Sequence, residues 1–187
     1  QKPTETITFN GNLDALATAP SALDAGGNVI NAVFNATDPA TYNFTSTSTV
    51  YDSAGAAHQV TLYFAKDTTA ANQYNVTASI DDVVQPETAS LIFDNTGVLD
   101  ITSVTALNLA TYAPANANAQ PINIDFSSIT GYGALSATSG VTQDGYAAGQ
   151  LAGFEFDRQG IAYASYTNGE TRAVGQGALA TFSNPRG

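Results

Sequence analysis

The chain contains no cysteine, so it has neither disulfides nor thiolate metal sites, a usage that fits a cytosolic protein and one exported unfolded equally well. Stability must come from burial, and at 187 residues a folded chain hides roughly 70% of the surface its unfolded form exposes. Histidine occurs once, at His58. That excludes a multi-histidine zinc cluster and obliges any serine triad to use this one residue. Lys and Arg number 5 against 16 Asp and Glu, a formal charge of -11. Phosphate backbones and anionic lipid surfaces would be repelled over most of such a surface, which argues against nucleic acid and membrane as partners. No apolar run reaches the ~20 residues of a membrane helix. The chain opens on no basic-then-apolar leader, which predicts a mature or excised segment.

What is abundant is Thr, Ser, Asn, Ala and Gly, with only 11% charged residues, a mixture suited to solvated β surfaces rather than to long helices. A four-residue spacing recurs at Asp52-Ser-Ala-Gly55, Asp94-Asn-Thr-Gly97 and Asp157-Arg-Gln-Gly160. An aspartate opening a β-turn can accept a bond from the backbone two residues on, and glycine at the fourth position takes the left-handed conformation that closes a bulged hairpin. Asp52, Gly55, Asp94, Gly97, Asp157 and Gly160 are therefore expected to be structural turn residues.

The flanks alternate, Val60, Leu62 and Phe64 against Gln59, Thr61 and Tyr63, and Tyr74, Val76, Ala78 and Ile80 against Asn75, Thr77 and Ser79. Period two predicts one buried and one wet face. Further strands are read at Thr4 to Phe9, Phe44 to Tyr51, Ala89 to Phe93, 98–105, Ile122 to Phe126, Leu151 to Phe156, Ile161 to Tyr166 and 173–182. Leu13 to Ala17 and Asp38 to Thr41 could each make one helical turn, and the Ala-rich stretch 111–120 is broken by Pro114 and Pro121. The expectation is an all-β fold of antiparallel sheets, a barrel-like or sandwich-like domain plus a smaller module rich in β-hairpins, with a boundary near Thr142 to Gly149.

Candidate chemistry is thin. His58, beside the Asp52 turn, reads as a residue that bonds the turn or faces solvent. The nearest carboxylate pairs, Asp81-Asp82 and Glu155-x-Asp157, lie at turns, and neighbouring strand residues point to opposite faces. Asp94, Asn95 and Asp100 offer calcium-type oxygens, but the EF-hand spacing is absent. The glycine clusters lack the strand-to-helix setting of a phosphate loop. Nine Tyr and nine Phe read as Phe in the core and Tyr at its rim. No residue is assigned to catalysis, to a cofactor or to a metal, and the expectation is a non-enzyme.

Two blocks resemble the flagellar hook protein family: Thr49-Val-Tyr-Asp-Ser-Ala-Gly-Ala-Ala-His58 with the apolar strand after it, and the closing run from Gly153-Phe-Glu-Phe-Asp-Arg-Gln-Gly-Ile161 through the Tyr166-Thr-Asn-Gly169 turn to the Asn-Pro-Arg-Gly end at 184–187. The resemblance implies a structural segment of the extracellular bacterial hook, a curved tube acting as universal joint between motor and filament. It further implies export through the flagellar export apparatus, with other copies of the subunit in a helical tube, and hook-cap and junction proteins, as partners. The family's N- and C-terminal helices are missing from the chain, which therefore resembles the middle of a subunit: 1–143 as the outer β domain, its first residues open to assignment to the inner one, and 144–187 as the returning part of the inner β domain. Alone, this chain is expected to be monomeric. A secreted carbohydrate-binding or adhesive β module, favoured by the Tyr and Asn content and the acidity and calling for an exposed row of coplanar Tyr rings, is the competing reading, with a homologous rod subunit as another.

Overall fold

A computed structural model describes residues 1–100, 106–110, 112–114 and 117–177. The strands are β1 (Thr6–Asn12), β2 (Ser21–Leu23), β3 (Val29–Asn31), β4 (Phe44–Tyr51), β5 (Ala57–Lys66), β6 (Gln73–Ile80), β7 (Val83–Ile92), β8 (Ala106–Leu109), β9 (Ile122–Thr130), β10 (Ala137–Gln143), β11 (Leu151–Phe156), β12 (Ile161–Tyr166) and β13 (Thr171–Gln176). The one helical element among the described residues is a 3-10 turn at Pro39–Thr41, where the Asp38 carboxylate accepts from the Ala40 amide and caps it. At 101–105 and from 178 onward, including the Asn-Pro-Arg-Gly end, the strand expectations lie outside the described residues.

Two four-stranded sheets, ordered β10-β1-β9-β8 and β4-β5-β6-β7, face each other. Their edges meet, β7 against β8 and β10 against β4, and Thr138 Oγ1 bonds Ser46 Oγ at 3.0 Å across the second seam. The result is a flattened barrel. Its interior follows the alternation: Ile7 and Phe9 of β1, Val60, Leu62 and Phe64 of β5, Tyr74, Val76, Ala78 and Ile80 of β6, and Ile122, Ile124 and Phe126 of β9 are all buried. Phe64 is the hub, with ring centroids 5.3 Å from Phe9, 5.9 Å from Phe44 and 6.1 Å from Phe126.

The fold is all-β, but pairing is not antiparallel throughout. β1 runs parallel to β9 along Thr6↔Asn123 to Asn12↔Thr130 while pairing antiparallel with β10. The chain completes the whole β4-to-β7 sheet and most of its return before β9 arrives beside β1, so this ladder needs no tight turn and can take either direction. A one-residue bulge carries β9 past Phe9: Thr8 faces Asp125 but Asn10 faces Ser128. The inward phase therefore slips from Phe126 to Ile129, both buried.

The outer face of β5 is not simply wet. Segment 13–43, which carries the β2-β3 ribbon, folds back over it and brings Phe34 and Tyr42 edge-on to Tyr63, each at 5.1 Å. Tyr63 is buried as a result. Asp67 ties this excursion down: it accepts from the Asn31 amide at 2.8 Å, the Asn75 amide at 2.9 Å, and the Thr69 and Ala70 backbone amides.

Beyond β10 the chain makes a separate three-stranded sheet, β11-β12-β13. Of its residues only Ala164 is buried. Phe154 is 58% and Phe156 73% exposed, which corrects the expectation that Phe sits inside. Among the described residues this sheet has no second layer packed on it, and a single sheet has no interior to offer them.

Candidate functional site

The base of the barrel, where the chain first enters and finally leaves it, brings together Asp52, His58 and Asp81 of the polar side chains singled out from the sequence. Asp52 and Gly55 form the β4-β5 turn. Asp52 Oδ1 accepts from the Ala54 and Ala56 amides, both at 2.8 Å, the Gly55 amide donates back to the Asp52 carbonyl, and Gly55 has φ +85°. Asp94 and Gly97 repeat this geometry between β7 and the Val98 bridge, with Asp94 Oδ1 accepting from Thr96 and Val98 and Gly97 at φ +79°. Asp157 and Gly160 repeat it between β11 and β12, with bonds from Gln159 and Ile161 and φ +77°. A fourth copy, Asp24-Ala-Gly-Gly27 between β2 and β3, has the same bonds, from Gly26 and Asn28, and φ +79°. Its Asp-x-x-Gly spacing stands in the sequence as plainly as the other three.

His58 does more than bond its turn. Its Nε2 lies 3.2 Å from Asp52 Oδ2 and its Nδ1 2.6 Å from Asp81 Oδ2, with the Tyr112 ring edge-on at 5.8 Å. Asp81 reaches it because the β6-β7 connection is a two-residue turn in which both Asp81 (φ +48°) and Asp82 (φ +65°) are left-handed, the backbone twist that two-residue hairpins require. Asp81 also accepts from the Gln59 amide at 2.9 Å. Burial alone would lower the imidazole pKa, yet the two carboxylates outweigh it and hold the pKa above the ordinary 6.5. The bond to His58, with the Gln59 amide behind it, holds Asp81 below the ordinary carboxylate value. Burial raises Tyr112 to about 12, with the Asp81 and Asp52 charges adding to the effect.

Among the described residues the structure does not bring together a nucleophile and base. Asp81 and Asp82 do not converge, Asp157 is folded back onto its own turn, and Glu155 is exposed on β11. Among the described residues no group of three or more His, Asp and Glu is placed to hold a metal ion. Asp94 spends its Oδ1 on its own turn. A carbohydrate platform of coplanar Tyr rings is not formed either: Tyr63, Tyr74 and Tyr112 are buried, Tyr42 meets Tyr63 edge-on, and Tyr132 is the one exposed tyrosine.

The same base is where the ends of the barrel are fastened. Lys2 pairs with Asp144 at 2.5 Å and bridges Tyr146 through its backbone. Gln1 donates to the Ser53 carbonyl, and Ser53 Oγ accepts from the Asn118 amide. A side chain on Gly55 would lie 2.8 Å from the Ala148 nitrogen.

Residues 12–146, which take in all but the first strand of the barrel, match the model of the family described as flagellar basal body protein FlaE D2 domain. The chain belongs to this family. Among the chain's relatives, the flagellar hook protein FlgE of Salmonella typhimurium is 31% identical over 195 residues, covering 100% of this chain and 44% of that protein. The FlgE of Borreliella burgdorferi is 29% identical over 210 residues, with the same two coverages. The chain thus spans less than half the length of these relatives. A crystal structure of Helicobacter pylori flagellar hook protein FlgE2 shares 15% identity, at a TM-score of 0.49 over 71% of this chain and 31% of that one.

Proposed function

We propose that this chain is the structural β portion of a flagellar hook subunit, with 1–143 as an outer domain and 144–187 as the returning part of an inner one. The observation that carries the reading is the family match, which spans the barrel from Asn12 through Tyr146. The chain works as an extracellular building block and not as an enzyme. Its partners are other copies of the same subunit in a helical tube, with hook-cap and junction proteins at the tube's ends, and it reaches the tube through the flagellar export apparatus. A joint that bends as it turns needs contacts that exchange at small cost. The exposed Thr45, Thr47 and Thr49 of β4 and Thr138, Ser139 and Thr142 of β10 suit this, because a polar group can trade a neighbour for water at a net difference of about 1 kcal/mol per bond.

Antibody raised against residues 1–187 tests the placement on intact cells by electron microscopy. Decoration confined to the hook supports it, and decoration of the filament or cell body overturns it. Sedimentation of the 187-residue chain at physiological salt tests assembly: a monomer is expected, because -11 charges oppose association. A filament formed by this chain alone would show that the β domains drive polymerisation.

A further inference from the structure

Both ring nitrogens of His58 face carboxylate oxygens, Nδ1 toward Asp81 and Nε2 toward Asp52. An ionised carboxylate can only accept, and a neutral imidazole has one N–H to give. Neutral His58 would aim a lone pair at one of the two. The arrangement is satisfied only when the ring carries both protons. We propose that His58 is a proton-operated clamp, in which the imidazolium fastens the β4-β5 turn to the β6-β7 turn and loss of its proton as pH rises loosens the Asp52–Gly55 turn against Ala148.

The turn it controls is where four segments meet. Asp52 is only 3% exposed and divides its carboxylate: Oδ1 holds its own turn through the Ala54 and Ala56 amides, and Oδ2 is left for His58. Around that turn are Gln1 on the Ser53 carbonyl, Asn118 on Ser53 Oγ, and the Ala148 backbone against Gly55. Those contacts join the start of the chain, the stretch before β9 and the link between the barrel and the β11-β13 sheet. The charged groups facing the ring are Asp52 and Asp81, with the neutral phenol of Tyr112 as the third titratable neighbour. When the ring is neutral, the shorter Asp81 bond keeps the remaining proton on Nδ1. The bare Nε2 then repels Asp52 Oδ2, so the strain falls on the β4-β5 turn rather than the β6-β7 turn.

Because the chain has one histidine, its ring gives one unambiguous signal in a pH titration followed by NMR on the 187-residue chain. The expected result is a midpoint above 6.5 with both ring nitrogens protonated below that midpoint, and amide shifts at Gly55 and Ala148 that move with the same midpoint. The turn amides of Gly97 and Gly160, which share the Asp-x-x-Gly geometry and have no histidine, should stay still. Asp81→Asn should shift the midpoint downward, while Asp82→Asn, one residue away, should leave it close to the native value. A midpoint at or below 6.5 overturns the clamp in the unmodified chain whatever the variants do. If His58 titrates and Gly55 and Ala148 do not respond, its link to the junction is wrong.

Discussion

Lys2 and Asp144, separated by almost the whole barrel in sequence, meet at 2.5 Å, and the other oxygen of Asp144 accepts the backbone amides of Glu5 and Thr6 at 2.9 Å each. One carboxylate thus anchors the strand that opens the barrel to the residue that follows its last strand. Burial works against the charge on Asp144, but the Lys2 ammonium and the two amides outweigh it and keep its pKa below the ordinary carboxylate value.

Replacing Asp144 by Ala should therefore destabilise the barrel by about 1–2 kcal/mol, most of it from the two backbone donors left unsatisfied, since the partly exposed Lys2 pair is screened by solvent. Urea unfolding measures it. The sign with pH follows from the depressed pKa: this contribution is complete above the unfolded value near 3.8 and is lost as pH falls through the folded one. In the variant, the acid limb of the stability curve should be flatter.

Glycine replacements separate backbone strain from crowding. Gly97 and Gly169 both have positive φ, yet a Cβ on Gly97 would lie 2.6 Å from the Tyr132 ring and 2.9 Å from the Gly131 carbonyl, whereas one on Gly169 meets nothing within 4 Å. Gly169→Ala should cost about 1 kcal/mol, the left-handed penalty alone. Gly97→Ala should cost about 2–4 kcal/mol, because backbone must move as well. Equal losses in thermal melts would mean that only the dihedral matters.

How far the sequence revealed this fold depends on the range of each interaction. β4, β11 and β12 are bounded where alternation and turn residues bound them, because both signals are local. β9 reads as ending at Phe126, since the bulge shifts the buried phase to Ile129 and breaks the pattern that periodicity can follow. β10, Ala-Thr-Ser-Gly-Val-Thr-Gln, shows no alternation and is a strand because β1 pairs with it. The Asp24–Gly27 turn has the right spacing but joins strands of three residues, too short to display a period. His58 meets Asp81 across 23 residues, through a turn made of two left-handed aspartates where Asn-Gly is the usual sign. Nothing local announces that contact.

Phe64 offers the plainest test of the core. Its ring touches Phe9 and Phe126 of one sheet and Phe44 of its own, so Phe64→Ala should leave a cavity between the layers and cost about 3–5 kcal/mol. Phe156→Ala, at a ring 73% exposed, should change the stability of this chain by less than about 0.5 kcal/mol. A large loss at Phe156 would mean that the β11-β13 sheet covers that ring in solution.

Asp67 carries the last prediction, because it holds the β2-β3 excursion to the barrel without being part of either. Burial opposes its charge, but five donors converge on it, from Thr69, Ala70, Asn75 and Asn31, and they drive its pKa far below the ordinary carboxylate value. Asp67→Ala removes every acceptor at once and leaves the Asn31 and Asn75 amides facing a hollow. The barrel's own ladder from β5 to β6 does not depend on that carboxylate, so the loss should be local. Protease cleavage within 20–43 should accelerate by roughly tenfold or more, as about 1.5–3 kcal/mol is taken from local opening, while the global unfolding midpoint moves much less. The pH sign is that of a depressed acid: the fastening is complete above 3.8 and persists until pH falls to the folded pKa, so at pH 3 the native ribbon should remain resistant to an acid protease. If cleavage in the Asp67→Ala chain instead rises in step with global unfolding, the excursion and the barrel open together, and the aromatic packing of Phe34 and Tyr42 on Tyr63 must hold the ribbon more firmly than Asp67 does.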